Sequence, residues 1–260
     1  MTIPIYQVDA FTQGPFSGNP AAVCPLDAWL DDEVLQNIAA ENNLSETAFV
    51  VAGEDGYGLR WFTPAIEVDL CGHATLAAGH VVLNHLRPEL DSVAFETMSG
   101  TLTVSRDGER LAMDFPSRPP TPAAVSQALI DALGATPSEV HVSRDILAVF
   151  DDEASVRHLA PDQAGLLALD EGLGVIASAR GDTVDFISRF FVPKAGIAED
   201  PVTGSAHCTL VPFWAERLGK SQLIAHQVSR RGGELYCEQR EDRVIISGRC
   251  HLFLTGTIHL

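Results

Sequence analysis

Four side chains and two glycines carry whatever chemistry this sequence can do. Asp200, Gly204 and Ser205 lie within one stretch, Glu199-Asp200-Pro201-Val202-Thr203-Gly204-Ser205-Ala206. Apolar residues follow at helical spacing (Leu210, Val211, Trp214, Leu218), so the stretch reads as a loop delivering the chain onto a helix N-terminus. The first N–H groups of such a helix lack internal partners, and the helix dipole adds to their positive field. Gly204 lets a ligand come close to the backbone, which makes a cradle for a carboxylate or phosphate, with Asp200 beside it as a possible proton carrier. An ordinary helix capped by Thr203 or Ser205 is the alternative. Glu46, between a helix end and an apolar strand, is either a solvated loop residue or a partly desolvated general base. His73 follows Gly72 at the start of another helix, where a structural or capping histidine is the alternative to a functional one.

The two glycine-opened turns belong to a repeat. Arg60, Trp61, Phe62 and Pro64 lead through Glu67 and Asp69 to Gly72-His73-Ala74; Arg189, Phe190, Phe191 and Pro193 lead through Glu199 and Asp200 to Gly204-Ser205-Ala206. An internal repeat offset by half the chain predicts two similar halves. Facing one another, the halves would turn two helix N-termini toward one small anionic ligand. Cys71 in the first copy corresponds to Thr203 in the second, so a pair of opposed thiol bases is missing.

The chain has 260 residues, 46% of them hydrophobic and 20% charged, enough for two packed domains of ordinary size. A net charge of −18, with only 17 Lys and Arg, argues against nucleic-acid and anionic-membrane partners. Any acidic substrate has to be caught by local fields. The five cysteines show no CxxC spacing, and the histidines make no convincing metal-ligand set; neither a disulfide framework nor a metal site is expected. No basic, apolar leader and no run of about 18 apolar residues appears, so a cytoplasmic location without a membrane span is expected.

Along the chain, residues 3–11 alternate as a strand, 31–42 read as a helix, and 58–62 form the strand feeding the first turn. The helix over 71–83 carries Ala74, Ala77, Ala78 and Gly79 and reads as central and buried. A three-strand meander spans 93–115. Four prolines at 116–122 mark a linker, after which a helix over 122–133 is expected. The second half repeats this grammar, with strands near 140–142, 146–149, 174–178 and 184–191, a helix over 205–218, and strands at 227–230, 234–238, 243–247 and 251–254. The halves are set at 1–117 and 123–250, with 251–260 as a terminal strand that returns to the first half.

Several ordered segments resemble the phenazine-biosynthesis-like (PhzF) family: Asp9-Ala10-Phe11-Thr12, Phe16-Ser17-Gly18-Asn19-Pro20, Asn43-Leu44-Ser45-Glu46-Thr47, Cys71-Gly72-His73-Ala74 and Asp200-Pro201-Val202-Thr203-Gly204-Ser205. The resemblance implies an α+β, diaminopimelate-epimerase-like fold, with two pseudo-symmetric halves, each a barrel-like antiparallel sheet around a central helix. It also implies an active site in the interdomain cleft, no cofactor and a homodimer. Carried over by position, Glu46 is the general acid/base, His73 and Asp200 assist proton transfer, and Gly72, Gly204, Ser205, Asn19 and Ser45 bind the substrate. The activity implied is cofactor-independent isomerisation of a small carboxylate by proton transfer at carbon. An amino-acid or hydroxy-acid epimerase or racemase with mixed bases, and a binding or scaffolding protein that has lost its chemistry, are the alternatives.

Overall fold

A computed structural model describes residues 1–53 and 56–260. The chain divides into two compact units, Met1–Asp114 with Ser247–Leu260, and Phe115–Ile246. The division falls at 114/115 and 246/247, a few residues before the positions read from the proline cluster and the last strand. Among the described residues, no helix is long and apolar enough to cross a membrane.

Strands and helices alternate in chain order as β1 (Thr2–Ala10), β2 (Asn19–Leu26), α1 (Asp32–Asn42), β3 (Glu46–Ala52), β4 (Tyr57–Phe62), β5 (Glu67–Val68), α2 (Gly72–Val81), β6 (Ser92–Thr97), β7 (Gly100–Asp107) and β8 (Arg110–Pro116). Then come β9 (Thr121–Ala123), α3 (Gln127–Leu133), β10 (Glu139–Val142), β11 (Ile146–Val149), α4 (Glu153–Arg157), α5 (Gln163–Leu167), β12 (Val175–Arg180), β13 (Phe186–Val192) and β14 (Ile197–Asp200). The chain finishes with α6 (Gly204–Leu218), β15 (Gln222–Gln227), β16 (Gly233–Arg240), β17 (Arg243–Gly248) and β18 (Cys250–His259).

The two units share one pairing scheme. In the first, β1 pairs antiparallel with β18 and β2, β2 parallel with β3, and β3 antiparallel with β4. β4 then pairs antiparallel with β5 and parallel with β6, and β6 antiparallel with β7. In the second unit β10, β11, β12, β13, β14, β15 and β16 take the places of β1 to β7 with every sense preserved, and β9 takes the place of β18. Parallel pairs occur where a helix intervenes, as α1 does between β2 and β3, because a parallel return needs a crossover.

The Arg and Glu of the repeated motif explain how each helix is approached. Arg60 grips Glu67 with Nε–Oε1 and Nη2–Oε2 bonds of 2.6 and 2.7 Å, and Arg189 grips Glu199 in the same way at 2.8 and 2.9 Å. Such two-point pairs fix direction as well as distance. They tie β4 to β5 and β13 to β14, so what the sequence presents as an acidic turn is a short paired strand in each unit.

Helix α2 is buried on almost every side and packs against β1, β2, β3, β7 and β18. Its small residues allow this approach; a Cβ added at Gly79 would stand 2.5 Å from a methyl of Val104 on β7. Two local expectations need correction. Residues 121–123 pair with β10, and the helix starts only at Gln127, where the Ser126 side chain accepts from Leu129 N at 3.2 Å. The strand expected at 227–230 lies earlier, at β15, because Leu223, Ala225 and Gln227 are its inward positions.

Candidate active site

In the first unit the local chain path delivers four polar residues to one buried spot. Helix α1 ends at Asn43 in the left-handed region (φ 49°), a conformation Asn tolerates, and its N–H closes on Ala39 O. Ser45 and Glu46 follow at once, with Glu46 opening β3 opposite Ala21 of the parallel strand β2. Asn19 is the first residue of β2, and His73 the second of α2. Cys71 is the N-cap of α2, extended at φ −143°, and its carbonyl accepts from Thr75 Oγ1 at 2.6 Å.

His73 Nε2 lies 3.0 Å from Glu46 Oε2, and the two side chains are 6% and 12% exposed. Beyond this contact with each other, neither atom has a hydrogen-bond partner among the described residues. On the opposite side of the ring, Nδ1 meets Asn19 Nδ2 at 3.1 Å and Cys71 Sγ at 3.5 Å. Ser45 Oγ donates in turn to Asn19 Oδ1 at 3.3 Å. Asn19 and Ser45, expected as substrate ligands, thus stand beside His73, Asn19 directly and Ser45 through Asn19.

Burial pulls the His73 pKa down, but the interactions with Cys71 and Glu46, hydrogen bonds included, outweigh it and hold the ring well above its ordinary 6.5. Burial, followed by the Glu46 charge, pushes the Cys71 thiol up to about 11, against a smaller opposing pull from His73. Near neutral pH Cys71 is therefore a thiol. Ligand atoms of Glu46, Cys71 and His73 lie within 4.8 Å of one another. The Cys71 sulfur and the Glu46 carboxylate are therefore near one another as well as near the imidazole.

In the second unit the matching helix start is built differently. Thr203, the N-cap of α6, donates its hydroxyl to Asp200 Oδ2 at 2.5 Å instead of capping the helix. Gln227 accepts from Thr203 N at 2.9 Å and donates to Asp200 O at 2.8 Å. This fully buried glutamine escaped the sequence reading; the alternation Leu223, Ala225, Gln227 along β15 is the signal that points it inward. Gly204 and Ser205 open the helix, and the N-cap residue of neither α2 nor α6 makes a side-chain cap bond. Where the first unit places Cys71 and His73, the second has Thr203 and Ser205; the acid/base pair is not duplicated. His207 donates Nδ1–H to Thr203 O at 2.8 Å, and burial pushes its pKa down to about 4, so it is a neutral structural group.

Comparison with known proteins agrees with this architecture. The family described as "Phenazine biosynthesis-like protein" matches residues 8–256. An uncharacterized isomerase of Pseudomonas aeruginosa is 55% identical over 260 residues, covering all of both chains. A crystal structure of a phenazine biosynthesis protein of the PhzF family from Enterococcus faecalis superposes with a TM-score of 0.98 at 49% identity, again over all of both chains. A hydroxyproline epimerase from Agrobacterium vitis shares the fold alone, with a TM-score of 0.63 at 10% identity over 99% of this chain and 92% of that one. The fold is thus of the epimerase-like type expected from the sequence.

Proposed function

Given that the chain belongs to the phenazine biosynthesis-like family, we propose that it is a cofactor-independent isomerase that moves a proton between carbons of a small carboxylate substrate, with Glu46 as the base. The observation that carries this reading is the pair Glu46 Oε2 and His73 Nε2, buried, 3.0 Å apart, and with no hydrogen-bond partner among the other described residues. Buried polar atoms are ordinarily satisfied, and exceptions mark sites where a ligand or a proton completes the set. The name carried by the Pseudomonas relative, an isomerase, and the epimerase-like fold point the same way.

In the proposed step Glu46 takes a proton from a carbon next to a carbonyl or carboxyl group. The electron pair left behind spreads onto oxygen, and the protonated Glu46 returns the proton at a second carbon. No electron is gained or lost overall. His73 supplies hydrogen-bond donation to the developing charge, as do backbone N–H groups at Gly72. Roles for Asp200, Gly204 and Ser205 in proton handling and carboxylate binding are proposed on the family resemblance, supported by the uncapped start of α6. A racemase built on two thiols is disfavoured, because Thr203 stands where a second cysteine would be needed and the Cys71 thiol is held protonated.

The test is incorporation of solvent deuterium into candidate carboxylic acids. Glu46→Gln keeps volume but cannot accept a proton, so exchange should fall by at least about 100-fold, the low end for general acid/base catalysis. Exchange at the wild-type rate would remove Glu46 as the base.

A further inference from the structure

The polar chain ending on His73 fixes more than the position of its ring. A carboxylate accepts hydrogen bonds, so the ring nitrogen turned toward Glu46 is the one that should carry hydrogen. In a neutral imidazole the other nitrogen is then a bare acceptor. That nitrogen, Nδ1, faces the Asn19 amide nitrogen at 3.1 Å, and an amide N–H is what it needs. The other end of the amide accepts the Ser45 hydroxyl at 3.3 Å, which holds the amide in this orientation. Asn19 is 0% exposed, so bulk water does not compete for either end.

We infer that Asn19 and Ser45 are positioning residues that hold neutral His73 as the tautomer with hydrogen on Nε2. The inference rests on the reading of Glu46 and His73 as the reacting pair. When the ring becomes a cation its second proton goes to Nδ1, on the side away from Glu46. Nε2 therefore carries hydrogen in both charge states. On that side His73 donates and never accepts, which leaves Glu46 alone to take the proton from carbon. A cationic ring finds its Nδ1 acceptor in the Cys71 sulfur, 3.5 Å away, or in the Asn19 carbonyl once the amide has turned over.

The other groups around α2 leave this assignment intact. Glu46 comes from β3, and Cys71 from the residue before the helix. Asp9 of β1 acts on Cys250 of β18, and Arg106 of β7 is committed to the carbonyls of Leu83 and Leu90. β2 presents the uncharged Asn19.

The experiment is solution NMR of the whole protein with ¹⁵N-labelled histidine, without substrate, at a pH high enough to neutralise His73. The wild type should show the Nε2–H tautomer; an Nδ1–H tautomer overturns the inference. Asn19→Asp puts an anionic acceptor beside Nδ1 and should raise the His73 midpoint by about one pH unit or more. An unchanged midpoint in a folded Asn19→Asp protein also overturns it. Ser45→Ala removes one of the bonds that orient the amide and should shift the tautomer ratio, whereas an unchanged ratio removes Ser45 from the relay. If Asn19→Asp does not fold, the wild-type spectrum and Ser45→Ala still decide. None of these readings needs turnover, so loss of the Glu46 assignment by deuterium exchange and loss of the tautomer assignment are separately visible.

Discussion

Cys71 Sγ and His73 Nδ1 are 3.5 Å apart, and the sulfur is buried with the Glu46 carboxylate near it. A thiol beside an imidazole at a helix start can be a nucleophile, but only as a thiolate. Here desolvation and the carboxylate push it the other way, to about 11. Cys71→Ala is therefore expected to keep solvent-deuterium exchange within about tenfold of wild type, short of the loss that removal of a general base causes. Complete inactivation of a folded Cys71→Ala protein, or full inactivation by one equivalent of iodoacetamide, would restore the thiol as a base.

The buried histidine of the second unit predicts an acid limb in stability. His207 titrates near 6.5 when unfolded but only near 4 in the folded protein, because burial disfavours its charge. Between these values the unfolded chain binds the proton and the folded one does not. This contribution therefore costs stability as pH falls through that window, by at most about 1.4 kcal/mol per pH unit. Urea denaturation of wild type and His207→Gln across the window should show a shallower slope in the variant. Equal slopes would mean that His207 is not the group responsible.

Gly79 supplies a packing prediction of unusual sign. In an exposed helix interior Gly→Ala gains roughly 1 kcal/mol. At this position the new Cβ would meet the Val104 side chain at 2.5 Å, and overpacking of this kind costs about 1–3 kcal/mol. Gly79→Ala should lower the denaturation midpoint, and Val104→Ala placed in the same chain should recover part of the loss. Additive effects of the two substitutions would show that the contact is not the cause.

The repeat was the most legible feature of the sequence, because its residues do the same job twice. Arg60 and Arg189 hold Glu67 and Glu199 in equivalent two-point pairs, and each glycine after them opens a helix. The Glu46–His73 contact was legible only as a family resemblance: 27 positions separate the two residues, and nothing in local periodicity brings a strand start to a helix start. Asn19 and Ser45 were legible as site residues from the resemblance, but their contacts with His73 and with each other were not, since a polar residue in a motif does not reveal which side chain it faces. Gln227 was passed over because one inward polar residue in a strand looks like the end of the alternation. The short strand β9 was hidden by Pro122, which reads as linker, although β9 pairs antiparallel with β10.

The pairing of β1 with β18 bears on how the chain is made. Thr2 stands opposite His259, so the neighbour of the first strand is synthesised only after the whole second unit. While that unit emerges and folds, β1 has β2 on one side and an open ladder of N–H and C=O groups on the other. The second unit meets no such delay, since β9 precedes β10 and is available from the outset. Translation order therefore runs against spatial order: the domain begun first is completed last, and it depends on holding an unsealed edge apart from other nascent chains until β18 arrives.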